Sequence, residues 1–326
     1  MKPTRFLFWL ALLSCLLIAG ATTAQKTTGT REGPQQVTVP LLVQGNRPYV
    51  ELTLLRADGS KRTARFLVDS GGGGFGLVEP LARDLGLTWG ETQSEEGHDF
   101  AILKQLPKAF IGDIALDLDP SRSGVAIGVD SILPKSVGAP VNEGMLPGYI
   151  LAKYHVIFDY PKGQFTIARP GVLKSTGTPL PMPVNPLTGF PRTEVEIAGK
   201  TYGFLIDTGA SFTMVSDALL KSWGKEHPGW PRHPGAYGEA ATLGGHTIET
   251  MFLPGGRWGP NELAEFGVTS QREGVFERSM SGRMAAPILG SLAGNVLKQF
   301  RVDLDYPNAK LYLSRPGPKQ VINAAP

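Results

Sequence analysis

The sequence predicts a mostly β protein of two similar lobes related by a pseudo-twofold axis, with short helices. Three observations support this fold class. The 326 residues are enough for two domains. Glycine and proline are frequent, with 41 and 27 copies, which favours turns and short strands over long helices. Finally, the chain contains an internal repeat in which each half places one aspartate directly after an apolar strand.

In the first half, short apolar stretches separated by glycine-containing turns predict three strands and one short helix. Residues 57–60 contain the Asp-Gly pair typical of a hairpin turn, and the strand after this turn runs directly into Asp69. Gly86 is placed to end the helix. In chain order, the predicted elements are strands at residues 37–43, 49–55 and 63–68 and a helix at residues 79–85.

The second half repeats this order of elements. An Ala-Gly-Lys turn at residues 198–200 joins two strands, and the second strand runs into Asp207. Ser216 is a suitable N-cap for the next helix, which Gly224 is expected to end. The prolines of the first strand restrict it to a sheet edge. The predicted elements are strands at residues 180–184, 193–197 and 201–206 and a helix at residues 217–223.

The ends of the two halves repeat most clearly. Residues 144–161 align without a gap with residues 290–307, and eight of the 18 positions are identical. Each segment finishes on Asp-Tyr-Pro, and the aspartates concerned, Asp159 and Asp305, are predicted to close turns. A repeat of this length is stronger evidence for two related lobes than a single motif.

The chain is predicted to begin with a signal peptide at residues 1–24. Two basic residues precede an apolar run, residues 6–21, that is short for a membrane span. We therefore expect an exported protein, periplasmic or extracellular, with a lipoprotein or an N-terminal anchor as alternatives. After this leader, the predicted units are an N-terminal lobe at residues 35–172, a C-terminal lobe at residues 173–315 and a disordered tail at residues 316–326.

The composition argues against several classes of function. The formal net charge is +3, and two of the positive charges lie in the leader, so we expect no nucleic-acid partner and no stable membrane partner beyond export. Cys15 is the only cysteine, and a mature chain without it can form no internal disulfide and no thiolate metal site. Because the five histidines show no metal-ligand spacing, neither a metal nor a cofactor is expected.

The Asp-Thr-Gly-Ala-Ser motif at residues 207–211 resembles the active-site signature of aspartic peptidases of the retropepsin and pepsin type. Residues 288–290 resemble the apolar-apolar-Gly element found late in each lobe of that fold, and the strand ending at residues 305–307 is similar to the last strand of bacterial retropepsin-like domains. The resemblance covers about residues 37–315. It implies two acid-protease-like β-barrel lobes, a monomer with pseudo-dimeric lobes, and a peptide or protein substrate.

The resemblance also implies a catalytic pair, Asp69 and Asp207, that activates a water for the hydrolysis of peptide bonds. Two carboxyl groups at close range cannot both ionise, so the pair would share one proton and titrate as a unit. The supporting residues are two hydroxyl residues that would bond across to the opposite lobe and two glycines that let backbone N–H groups approach the carboxylates: Ser70, Gly71, Thr208 and Gly209.

A peptidase of this class needs a hairpin flap over its substrate, and residues 92–100 and 238–249 are the candidates. The first half departs from the family pattern, because glycines occupy residues 72–74 where Ala or Ser is usual. Residues 71–76 also match a dinucleotide-binding G-x-G-x-x-G fingerprint after a strand. The competing functions are a catalytically weak or inactive peptide-binding protein on the same fold, a dinucleotide-binding protein, and a carboxylate-pair hydrolase acting on glycans.

Overall fold

The computed structural model describes residues 34–95, 98–127, 142–234, 249–271 and 274–315. Within this part of the chain the structure is mostly β, with few and short helices, which confirms the predicted fold class. The predicted signal peptide and C-terminal tail lie outside the described residues. No helix in the described segments is long and apolar enough to cross a membrane.

The strands of the first half follow each other closely in sequence. A short helix, α1 (Glu79–Asp84), follows the fifth strand, and a second, α2 (Gly148–Leu151), follows the eleventh. The strands are β1 (Gln36–Pro40), β2 (Leu42–Gln44), β3 (Arg47–Leu55), β4 (Lys61–Asp69), β5 (Phe75–Val78), β6 (Gln93–Glu95), β7 (His98–Ile102), β8 (Ala109–Ile111), β9 (Ile114–Ala115), β10 (Ser123–Ile127), β11 (Gly144–Pro147), β12 (His155–Asp159) and β13 (Gln164–Ala168).

The second half repeats the arrangement. Its helices are α3 (Asp217–Glu226) and α4 (Gly294–Leu297), and a π-helix covers Val275–Met280. Its strands are β14 (Leu180–Pro181), β15 (Arg192–Ile197), β16 (Lys200–Ile206), β17 (Thr213–Ser216), β18 (Arg232–Pro234), β19 (Glu249–Leu253), β20 (Gly256–Trp258), β21 (Asn261–Leu263), β22 (Phe266–Gln271), β23 (Gly290–Leu292), β24 (Arg301–Asp305) and β25 (Lys310–Ser314).

Each half forms its own sheet, and the two sheets have the same topology. The N-terminal sheet has the strand order β6-β7-β10-β5-β11-β4-β3-β8-β9, with β2 paired to β3, and the C-terminal sheet has the order β18-β19-β22-β17-β23-β16-β15-β20-β21. The registers agree as well, since Leu146 lies beside Val68 and Leu292 lies beside Ile206 in parallel pairs. The end strands of each sheet do not pair with each other, so the described residues form open sheets and not the expected closed barrels.

A third sheet, the shared sheet, takes strands from both halves in the order β1-β13-β12-β24-β25-β14. Its central strands, β12 and β24, are antiparallel and come from the internal repeat. Ile157 and Asp303, which are equivalent positions of that repeat, face each other across the pair. The pseudo-twofold axis therefore passes between these two residues, and each half contributes to the core of the other.

Asp303 holds the centre of the shared sheet through a buried polar cluster. Its Oδ1 lies 2.6 Å from Nε2 of His155 and accepts a hydrogen bond from the hydroxyl of Ser175 at 3.0 Å. Its Oδ2 accepts from Arg301 at 3.2 Å. Because Asp303 is fully buried, these partners stabilise a carboxylate that would otherwise be expensive to remove from water.

Three predicted elements differ from the structure. The strand expected at residues 180–184 is shortened to β14, Leu180–Pro181. The strand expected at residues 37–43 is divided at Leu41 into β1, which pairs with β13 in the shared sheet, and β2, which pairs with β3 in the N-terminal sheet. The helix expected to end at Gly224 continues to Glu226. A glycine inside a helix costs only about 1 kcal/mol, so Gly224 does not end α3. The residue before a proline is disfavoured in a helix, and His227, which precedes Pro228, is the C-cap of α3.

Replacing Asp303 with alanine should lower the free energy of unfolding by about 3–5 kcal/mol, because it leaves Arg301 without its buried counter-charge and removes a buried hydrogen-bond partner of His155 and Ser175. The matched control is Asp113→Ala at an exposed turn position, which should change stability by less than about 0.5 kcal/mol. Urea unfolding curves of the two variants measure the difference. Equal stability losses would contradict the role assigned to the cluster.

Candidate active site

The two aspartates singled out in the sequence lie at equivalent strand ends. Asp69 is the last residue of β4, and Asp207 directly follows β16. Each strand lies inside its sheet, between two neighbours, and Val68 and Ile206 before the acids are fully buried. The backbone of Asp207 is also held by β23, because its N–H donates to the carbonyl of Leu292 at 3.0 Å. Both acids retain partly exposed surface.

The loops after these strands cross, so that each acid lies against a glycine of the other half. A Cβ built on Gly71 would lie 2.8 Å from Cγ of Asp207, and a Cβ on Gly209 would overlap the carboxyl group of Asp69. The absence of side chains at these glycines is therefore a steric requirement of the site. The structure brings Asp69 and Asp207, here named the acid pair, together from opposite halves.

Four hydrogen bonds between Ser70 and Thr208 and the opposite strands join the loops. The hydroxyl of Ser70 donates to the carbonyl of Ile206 at 2.6 Å and accepts from the N–H of Thr208 at 3.0 Å. The hydroxyl of Thr208 donates to the carbonyl of Val68 at 2.6 Å and accepts from the N–H of Ser70 at 3.0 Å. These four bonds are here named the crossed bonds. Both side chains are fully buried, and the crossed bonds give each hydroxyl and each backbone group involved a hydrogen-bond partner in place of water.

Each carboxylate is also oriented by its own loop. The N–H of Gly71 donates to Oδ1 of Asp69 at 2.9 Å, and the N–H of Ala210 donates to Oδ1 of Asp207 at 3.0 Å. These bonds favour the ionised form of the acids. With one oxygen of each acid held by its loop, the orientation of both carboxyl planes is restricted before any ligand arrives.

Burial raises the pKa of both acids, and the negative charge of Asp207 raises the pKa of Asp69 further, to about 7. Charge repulsion at close range means that the pair loses its two protons in two separate steps. Between these two steps the pair holds one shared proton. One carboxylate is then available to accept a proton and one carboxylic acid is available to donate one.

Two tyrosines that sequence reasoning did not assign to the site lie near it. Burial raises the pKa of Tyr160, and so does the negative charge of Asp207; burial and the charge of Asp69 do the same for Tyr306. Within the described residues, neither hydroxyl has a hydrogen-bond partner. The tyrosines come from the two Asp-Tyr-Pro repeats, whose aspartates cap short turns as predicted. The repeat was visible in the sequence, but its proximity to the acid pair depends on the shared sheet.

Arg47, at the start of β3, is a third residue that the sequence did not point to. It is buried, with 2% of its surface exposed, and its Nε donates to the carbonyl of Gly209 at 2.6 Å. Its guanidinium lowers the pKa of both members of the acid pair, against the larger opposite effect of burial. An Arg-Pro pair at the start of a strand gave no signal, because its partner is 162 residues away.

The remaining predictions concern the loops. Of the flap candidates, residues 92–100 include the β6–β7 hairpin, whose turn lies outside the described residues, and residues 238–249 lie outside them except for Glu249. The dinucleotide fingerprint is wrong in its structural context: the glycines lead into the strand β5, and not into a helix whose N-terminus could bind a phosphate.

Residues 193–265, which include Asp207, match the family model described as aspartyl protease. This match confirms the resemblance to aspartic peptidases that the sequence predicted. Among solved structures, the chain is similar to the crystal structure of an aspartic proteinase from Irpex lacteus, with 15% sequence identity, coverage of 86% of this chain and 98% of that chain, and a TM-score of 0.48. Comparison with curated proteins gives no significant match.

Replacing Gly209 with alanine should destabilise the protein by about 1–3 kcal/mol, because the new methyl group would overlap the carboxyl of Asp69 and force the crossed loops apart. Gly76→Ala is the matched control, since a Cβ there meets no atom within 4 Å. It should change stability by less than about 1 kcal/mol. Chemical unfolding of both variants tests this, and a tolerated Gly209→Ala would contradict the close approach.

Proposed function

We propose that this protein is an aspartic endopeptidase that hydrolyses peptide bonds through a water activated by Asp69 and Asp207. The aspartyl protease match supports a peptidase, and therefore a hydrolase. The observation that carries the finer proposal is the crossing of the two loops, which places each acid against the glycine of the opposite half. An isolated Asp-Thr-Gly could serve as a turn, but an Asp-Ser-Gly and an Asp-Thr-Gly interlocked around one point require a shared role.

The proposed reaction uses the single shared proton. The ionised acid takes a proton from the water while the protonated acid donates its proton to the oxygen of the scissile carbonyl, and the water oxygen bonds to the carbonyl carbon. The resulting diol then breaks its C–N bond: one acid returns a proton to the leaving nitrogen, and the other removes one from a hydroxyl as the carboxylic acid forms. The pair ends with one proton, ready for the next cycle.

The geometry supports this reaction in two ways. General acid–base help of this kind is worth about 10²–10⁴-fold, so most of the acceleration must come from positioning and preorganised charge. The crossed bonds and the loop N–H groups supply that positioning, because they hold both carboxyl groups without any bond to substrate. One site per chain is the natural consequence, with the two halves in one polypeptide and the molecule acting as a monomer.

Export is part of the proposal. It depends on the basic and apolar character of residues 1–24 and places the peptidase in the periplasm or outside the cell. Its substrates would then be peptides or proteins of that compartment. A folded core without a disulfide, in a mature chain that lacks Cys15, is compatible with such a location.

A second candidate is a peptide-binding protein on the same fold with little or no turnover. It is favoured by one asymmetry of the site. The first loop has Gly72 where the second has Ala210, and a Cβ at Gly72 would lie 2.7 Å from Oδ2 of Asp69. The loops beside Asp69 and Asp207 therefore differ in sequence and shape. If water reaches one carboxyl group more easily than the other, the site could bind a peptide without cleaving it.

Changing either acid to asparagine should lower kcat/KM by about 10³-fold, because the pair can then no longer exchange its proton. The assay is mass-spectrometric cleavage of a mixture of synthetic peptides, with Asp113→Asn as an exposed control that should retain full activity. Hydrolysis that survives in both Asp69→Asn and Asp207→Asn would exclude the acid pair. Peptide binding without cleavage by the unmodified protein would instead support the second candidate.

Activity should decline as pH rises through about 7, because the shared proton is lost when Asp69 ionises at its raised pKa. The sign follows from the raised value: the required proton is present below this pKa and absent above it. At low pH, activity should fall again as the second acid becomes protonated. Measuring kcat/KM from pH 3 to 9 tests the profile, and maximal activity above pH 8 would contradict it.

A further inference from the structure

Arg47 belongs to the first half, but its buried, positively charged side chain contacts the loop after β16 in the second half. Its side chain is 2% exposed, and its Nε donates to the carbonyl of Gly209 at 2.6 Å. Burying a guanidinium is expensive unless hydrogen bonds and negative charge compensate for it. The acid pair supplies negative charge close by, because the guanidinium lowers the pKa of both Asp69 and Asp207.

The turn before Arg47 fixes its position. Gly45 and Asn46 both have positive φ, at 57° and 64°, which is the conformation of a tight two-residue hairpin between β2 and β3. The side chain of Asn46 donates to the carbonyl of Ser211 at 3.1 Å and accepts from Nζ of Lys298 at 2.8 Å. The turn is thus bonded both to the loop after β16 and to the end of α4, and these bonds leave the arginine little freedom.

The pseudo-symmetry of the molecule is broken at this position. In the first half Tyr49 pairs with Leu67, and in the second half Arg192 pairs with Leu205; both leucines lie two residues before an acid. Counting back two residues, the position equivalent to Arg47 is therefore Phe190. That phenylalanine packs in a buried apolar cluster with three other side chains, Leu205, Phe276 and Ile288.

We infer that Arg47 is a positioning residue of the acid pair: it holds the second loop through Gly209 and supplies the positive charge that keeps the pair singly ionised. This inference rests on the proposed function for its catalytic meaning. The hydrogen bond fixes the loop that carries Asp207, and the charge offsets the cost of one buried carboxylate. A phenylalanine at the equivalent position of the other half can do neither, so a single arginine serves both acids.

Several other titratable and charged groups surround this site, and the test must separate them from Arg47. The acids themselves come from β4 and from the loop after β16. The two phenols of the Asp-Tyr-Pro repeats come from the short turns that follow β12 and β24 of the shared sheet, and their raised pKa values keep them neutral. Lys298, at the end of α4, reaches the turn through Asn46. None of these groups changes in the variants chosen below.

Two substitutions separate the charge of Arg47 from its hydrogen bond. Arg47→Gln retains an N–H donor but loses the charge, and Arg47→Lys retains the charge but loses the planar guanidinium. In the glutamine variant both limbs of the kcat/KM profile should move to higher pH by about one unit, because each acid loses a nearby positive charge. In the lysine variant the limbs should stay within about 0.3 units of the original profile. The matched control is Arg192→Gln, a buried arginine that bonds Pro287 and Glu194 and should leave both limbs in place.

The carboxyl titrations are also measured directly, by NMR of protein with ¹³C-labelled aspartate carboxyl groups, assigned with the two Asp→Asn variants. An upward shift of the acid pair in Arg47→Gln supports the inference even if the unmodified protein cleaves no peptide, in which case only the proposed function fails. Unchanged titration of both acids in a folded Arg47→Gln variant overturns the inference. A loss of stability or of kcat without any shift would show a purely structural role and would also overturn it.

Discussion

The crossed bonds between Ser70 and Thr208 are the constraint on which the rest of the molecule depends. Two carboxyl groups brought together pay both for desolvation and for mutual repulsion. Four hydrogen bonds, all buried and reciprocal, hold the opposing strand ends together against these costs. A buried network that satisfies all its members is rigid, and partial loss is expensive because unpaired groups stay in the interior. The site therefore exists only while both halves remain in contact.

The shared sheet holds the two halves in contact, because it takes strands from both. β12 and β24 pair across the pseudo-twofold axis, so the two halves share backbone hydrogen bonds as well as side-chain packing. The buried cluster around Asp303 joins His155 of the first half to Arg301 of the second, which are equivalent positions of the repeat. The pKa values of the two acids are shifted by burial, by the charge of Asp207 on Asp69 and by Arg47. These shifts require both halves together, because the groups that cause them come from both.

Sequence reasoning succeeded where the evidence is local and repeated. The position of both acids at strand ends, the hairpin before Asp69, the N-cap at Ser216 and the edge position of β14 all follow from residues that are adjacent in the chain. It failed where distant residues meet. The division of the first strand at Leu41 depends on its two parts pairing with different strands, β13 and β3. The role of Arg47 depends on its contact with Gly209, and whether a sheet closes depends on whether its end strands pair. Periodicity and turn chemistry contain no information about such contacts.

The facing of Ile157 and Asp303 across the axis is possible only because the two halves differ in sequence at this position. In a symmetric dimer of identical half-sized subunits, any residue on the twofold axis meets its own copy. An aspartate there would face a second aspartate in a dry interior, and an isoleucine would leave no acid for the basic neighbours. Joining two copies in one polypeptide removes this restriction. In a single chain the axis can hold an apolar residue on one side and a charged one on the other, as it does at Ile157 and Asp303.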